Sequence, residues 1–153
     1  RMMEENNVNT SIPLAVEEHI FNELLPKLDQ MEFFSSKVFD RTSLFVFAMA
    51  LGFHKGKRTP LADRKGLIRY ETLRNSPENS LFSAVALHEL RKTNEADHIA
   101  DMKITYMIAN EYANTGFHYL EEQVNGMFDE ESFRLDLMME MDDAFERIKS
   151  DIA

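Results

Sequence analysis

The chain has 153 residues, 44% apolar and 29% charged, with a formal net charge of −10, the composition of one folded domain rather than a disordered tail or two comfortable domains. The absence of Cys excludes a disulfide scaffold, a thiol nucleophile, an iron–sulfur cluster and thiolate zinc sites. The longest wholly apolar run, Leu44 to Leu51, is too short to span a bilayer. Arg1 ahead of Met2 and Met3 reads as an appended remnant, and residues 1–7 are expected to stay outside the fold. The acidic, Asn-rich start predicts no secretory signal and a cytoplasmic protein.

Val8, Thr10 and Ile12 alternate with Asn7, Asn9 and Ser11, which predicts a short strand or extended arm near 8–12. Pro13 fits the first turn of a following helix, where its missing N–H costs nothing. Val16, Ile20, Phe21, Leu24 and Leu28 give that helix an apolar face, and Pro26 is expected to kink or end it. Met31, Phe33 and Phe34 are too apolar for a solvated linker. Asp40 or Ser43 caps the next helix, which is apolar on every side from Leu44 to Leu51 and so should be central and buried. Gly52 is placed to stop it in a left-handed conformation, with Phe53 folding back. From 54 to 75 the chain reads as a long basic loop, broken by Gly56, Pro60 and Gly66, with a short strand or tether near 67–70. Such long connections inside small domains are usually functional or mobile.

Ser76-Pro77 marks a capped helix start with Glu78 in the first turn, and Leu81, Phe82, Val85, Ala86 and Leu90 face inward. Asn94 caps a further helix in which Ile99, Met102, Ile104, Met107 and Ile108 are expected to be largely buried. It runs past Gly116 to a stop at Gly126. Asp129 caps the last helix, whose stripe is Phe133, Leu137, Met138, Met141, Phe145 and Ile148. The expected architecture is mainly α: a single compact domain over 1–153, with five or six helices and one or two short strands.

Five histidines are present: His19, His54, His88, His98 and His118. Glu95 and His98 make one Glu-x-x-His pair where a dinuclear carboxylate bundle needs two. His118 and Glu122 stand one turn apart with no third ligand implied by spacing. Phosphate loops, dinucleotide turns and nucleophile elbows are absent. Acids in the last helix, among them Glu140, Asp142, Asp143 and Glu146, are too numerous to single out an acid–base pair. The ten Met residues read as packing. No catalytic residue, cofactor or metal is expected.

Charge is unevenly placed. Residues 1–34 hold seven acids and two bases, and 120–153 hold eleven acids and three bases. Residues 54–74 hold seven bases against two acids. A nucleic-acid contact therefore has one candidate segment, with Lys55, Lys57, Arg58, Arg64, Lys65 and Arg69 as its cations and Arg74 beyond them. The bland alternative is a solvated loop neutralising the protein's own acids. An arm followed by two helices also has the order of a ribbon–helix–helix dimer, with Asn7, Asn9 and Ser11 facing bases, although residues 2–26 carry no Lys or Arg. The apolar excess from Met31 to Leu51 is compatible with a homodimer.

The stretch from Leu44 to Leu120 resembles a small prokaryotic family, Dnd system-associated protein four, encoded near DNA phosphorothioation genes. The likeness rests on Phe47-Ala48-Met49-Ala50-Leu51-Gly52-Phe53 leading into His54-Lys55-Gly56-Lys57-Arg58-Thr59-Pro60-Leu61, on Ala84-Val85-Ala86-Leu87, and on Glu111-Tyr112-Ala113-Asn114-Thr115-Gly116-Phe117. The resemblance implies a non-enzymatic accessory or regulatory role in a phosphorothioate-linked modification or restriction (phage defence) system, through contacts with DNA or with other system proteins. Lys55, Lys57 and Arg58 beside Phe53 would offer cations and an apolar contact to a phosphorothioate. The alternative is an adaptor whose acidic last helix docks on a basic partner.

Overall fold

A computed structural model describes residues 12–35, 37 and 39–152. Strand β1 (Leu14–Val16) is wholly buried and pairs antiparallel with β2 (Lys65–Ile68), setting Leu14 opposite Ile68, Ala15 opposite Gly66 and Val16 opposite Lys65. Pro13 therefore precedes a strand and does not start a helix. The reason is tertiary: the Asn110 side chain accepts from the Ala15 N–H and donates to the Pro13 carbonyl, both at 3.0 Å, so it holds the backbone extended. Asn7, Asn9 and Ser11, where the alternation is read, lie outside the described residues.

After β1 the backbone makes a π turn over Ile20–Leu24, closed by the Leu25 N–H to the Ile20 carbonyl, and continues as α1 (Leu25–Gln30). Pro26 sits in the first turn of α1, so its missing donor is accommodated at a change of helix geometry rather than at a break. Phe34 and Phe39 then pack with Phe47 of α2 (Arg41–Lys55), and Phe33 packs against both of them.

Asp40 caps α2 by accepting the Ser43 N–H at 2.7 Å. Every residue from Leu44 to Phe53 is buried. Met31 and Phe34 are buried as well, so the apolar excess behind the homodimer expectation is taken up by the chain's own core. Helix α2 does not stop at Gly52. It runs one turn further, to Gly56, whose φ of 69° supplies the left-handed cap. The segment expected as a loop from 54 to 75 holds β2 and the short α3 (Tyr70–Arg74).

Helix α4 (Asn79–Lys92) starts after a Ser76–Glu78 turn and not at Ser76 itself. Asn94, expected to cap the following helix, instead ends α4: with φ 57° it donates to the Arg91 carbonyl while the Glu95 N–H reaches Leu90. A 3-10 turn, Ala96–Ala100, leads to α5 (Met102–Gly126), capped by Asp101, whose carboxylate accepts the Lys103 N–H. Met107 is half exposed, against expectation. Asp129 caps α6 (Glu130–Ile152) through the Ser132 N–H. Phe133, Leu137, Ala144 and Ile148 of α6 are buried, while Met138 departs from the stripe and is exposed.

Helices α2 and α5 cross in backbone contact. A Cβ on Gly52 would lie 1.9 Å from the Tyr112 carbonyl oxygen, and one on Gly116 would lie 1.8 Å from that of Ala48. No side chain fits between them. Gly52→Ala and Gly116→Ala should each lower stability by about 2 kcal/mol or more, read from urea midpoints. Gly126→Ala, with nothing within 4 Å of the added methyl, should change stability by less than about 1 kcal/mol.

Candidate functional site

Asn110, Glu111, Asn114, Thr115, His118 and Glu121 recur along α5 at spacings of one, three and four residues, which keep them on one side of the helix. The segment 57–64, leaving the end of α2, lies along this stripe and is held chiefly by its backbone. The Thr59 N–H donates to the Glu111 carbonyl at 3.1 Å. The Asn114 amide donates to the carbonyls of Thr59 (3.1 Å) and Pro60 (3.4 Å). The Thr115 hydroxyl donates to the Lys57 carbonyl at 2.9 Å and accepts from the Thr59 hydroxyl at 2.7 Å.

The cations expected to face nucleic acid are used in different ways. Arg58 donates to Glu111 at 2.9 Å and to Glu89 at 3.1 Å. Burial alone would lower its pKa, but these two carboxylates raise it above the ordinary value. Lys55 lies 3.6 Å from Glu140 and 3.7 Å above the Tyr119 ring. Arg64 donates to the Ile12 carbonyl at 2.8 Å, and burial lowers its pKa. Lys65 stands 5.3 Å from the Phe21 ring centroid. Lys57, Lys65, Arg69 and Arg74 are exposed. Phe53 is buried against His88 and Tyr112, so it offers no apolar surface to sulfur beside the cations.

Glu89 joins this network through α4, accepting from Tyr112 at 2.6 Å as well as from Arg58. Burial would raise its carboxyl, yet the Tyr112 and Arg58 hydrogen bonds and the Lys92 charge bring it below the ordinary carboxylate range. The same contact, with burial, raises the Tyr112 phenol.

At the N-terminal end of the stripe lies a largely apolar cavity of about 680 Å³, lined by Pro13, Leu61, Arg64, Tyr70, Tyr106 and Met107 among others. Further along α5, beside His118, Glu17 is nearly fully buried. It accepts from the Ala62 N–H at 2.6 Å and from the His118 ring. Burial would raise its pKa, but these bonds and the nearby His19 lower it overall. His19 contacts Glu121 at 3.3 Å. Glu122 takes no part in this group, whereas Glu17 and His19, about a hundred residues from His118, do. Neither was a candidate from spacing. In the sequence His19 and His118 are two of five histidines, with no spacing that joins them. Glu95 and His98 remain an exposed pair at 3.9 Å.

A family model described as DNA sulphur modification system-associated protein 4 matches residues 17–152. No curated protein and no solved structure matches the chain.

Glu89, with its folded pKa lowered, contributes stability that is present above the unfolded value of about 4.5 and is lost as pH falls through the folded value. The stability gap between wild type and Glu89→Gln in urea unfolding should therefore narrow as pH drops from 7 to 3. Asn114→Ala should cost about 1–2 kcal/mol and speed amide hydrogen exchange within 57–64.

Proposed function

Because this chain belongs to the DNA sulphur modification system-associated protein 4 family, we propose that it serves such a system as a non-catalytic accessory component working by protein contact, with the outer face of α6 as its docking surface. Association with a DNA sulphur modification system comes with the family. One observation carries the rest. Opposite the buried Phe133, Leu137, Ala144 and Ile148, helix α6 presents Glu131, Leu135, Met139, Asp142 and Glu146 at successive turns, all exposed. Leu135 is 49% exposed and Met139 71%. Exposed apolar side chains flanked by acids fit a partner that offers an apolar patch rimmed by Lys or Arg, whose charges speed and orient the encounter.

The pairing of Arg58 and Lys55 with the protein's own carboxylates supports this reading over nucleic-acid contact. A DNA contact through this segment would fall chiefly to Lys57, Lys65 and Arg69, which are exposed. Titration calorimetry against the purified component proteins of a DNA sulphur modification system tests the proposal. One component should bind, and the triple variant Met139→Lys, Asp142→Lys, Glu146→Lys should weaken that binding at least tenfold while helix content by circular dichroism is unchanged. Absence of binding to every component, or equal binding by the variant, would overturn it. Fluorescence anisotropy with sulfur-modified and unmodified duplex at two salt concentrations supplies the other arm: salt-sensitive binding abolished by Lys57→Glu, Lys65→Glu and Arg69→Glu would transfer the function to nucleic acid.

A further inference from the structure

Glu17 follows β1 directly, His19 lies two residues on, and His118 projects from α5; one ligand atom from each lies within 4.8 Å of the other two. We infer that Glu17, His19 and His118 form a binding site for a first-row divalent transition-metal ion that ties the N-terminal segment to α5. The inference is independent of the docking surface on α6.

Each prospective ligand is already aimed. Glu17 is 4% exposed, and the Ala62 N–H holds its Oε2 at 2.6 Å, which leaves Oε1 toward the two imidazoles. His19 Nε2 lies 3.3 Å from Glu121 Oε1. In the neutral ring a carboxylate there favours the tautomer with the proton on Nε2 and the lone pair on Nδ1, and Nδ1 lies 3.9 Å from Glu17 Oε1. Metal-bound histidines are commonly oriented in this way, by a carboxylate on the ring nitrogen that does not bind the ion. The two rings are inclined at 56° with centroids 5.6 Å apart. Two imidazoles on one tetrahedral ion, with metal–nitrogen bonds of about 2.1 Å, place their centroids roughly 5 Å apart.

An ion pair between Glu17 and His118 would account for one imidazole. The second imidazole lies 3.9 Å from the same oxygen, beyond hydrogen-bond reach. Glu17 Oε1 is thus shared between the two rings, and an ion placed among the three atoms would engage both imidazoles at once. Two imidazole nitrogens and one carboxylate oxygen suit zinc and its neighbours rather than magnesium or calcium, which favour all-oxygen shells. Both rings are half exposed, so a coordination position stays open to water. Binding would displace the proton that His118 shares with Glu17, the usual exchange at imidazole–carboxylate sites.

The test uses the untagged chain and Zn2+ at neutral pH, with competition against a zinc indicator for affinity and thermal unfolding as a second readout. Zn2+ should bind at one equivalent and raise the unfolding temperature. His19→Ala and His118→Ala should each weaken binding at least tenfold and abolish the thermal shift. Glu121→Gln should weaken it about tenfold through the orientation of His19, and His98→Ala should leave it unchanged. Co2+ in place of Zn2+ should give visible absorption bands that His19→Ala removes. Absence of binding, or binding that His19→Ala and His118→Ala leave unaltered, overturns the site. If His118→Ala does not fold, His19→Ala decides, because that ring is half exposed and its loss opens no core cavity.

Discussion

Two places where backbone meets backbone organise this protein: Gly52 of α2 against Tyr112 of α5, and Ala48 of α2 against Gly116 of α5. A helix that is apolar all round must be enclosed, and the enclosure starts with an approach that no Cβ permits. α6, α4 and the aromatic cluster of Phe33, Phe34 and Phe39 complete the enclosure of α2. The crossing also fixes where α2 ends relative to the polar face of α5. The segment that leaves Gly56 is thereby delivered onto Glu111, Asn114 and Thr115. Any increase in the distance between the helices would separate the Asn114 and Thr115 donors from the carbonyls they hold, and the Glu111 carbonyl from the Thr59 N–H.

The same geometry explains why an acidic protein concentrates cations at the end of α2. Lys55 bridges toward Glu140 of α6, Arg58 joins Glu89 of α4 to Glu111 of α5, and the Arg147 guanidinium donates to the His54 carbonyl at 2.7 Å. Positive charge here is mortar between helices that would otherwise bring carboxylates together. The residues that carry the family resemblance divide along the same line. Gly52 and Gly116 allow the crossing, while Glu111, Asn114 and Thr115 fasten the segment it delivers. They are explained by architecture.

Much of the fold was readable locally. Caps at Asp40 and Asp129, the buried run from Leu44, the continuation of α5 through Gly116 and the inward residues of α6 all follow from short-range patterns. The errors arose where one residue type serves two physical purposes. Gly52 and Gly56 both follow the apolar run, and glycine is favoured equally by close packing and by a left-handed cap; only the partner helix shows which is which. Asn94 suits both a helix start and a left-handed stop, and it took the second. Pro13 is compatible with a helix or a strand until Asn110, almost a hundred residues away, takes its carbonyl. The sign of the 54–74 charge was legible, but its partners are on α4, α5 and α6. The Glu17, His19 and His118 grouping had no local spacing to announce it.

The strap from Lys57 to Pro60 is gripped mainly through main-chain oxygens, which every amino acid possesses. Substitutions at Lys57 or Pro60 would leave those anchoring atoms in place. Divergent relatives could thus redecorate this edge of the molecule, altering what it shows to the outside, while the scaffold beneath it is inherited intact.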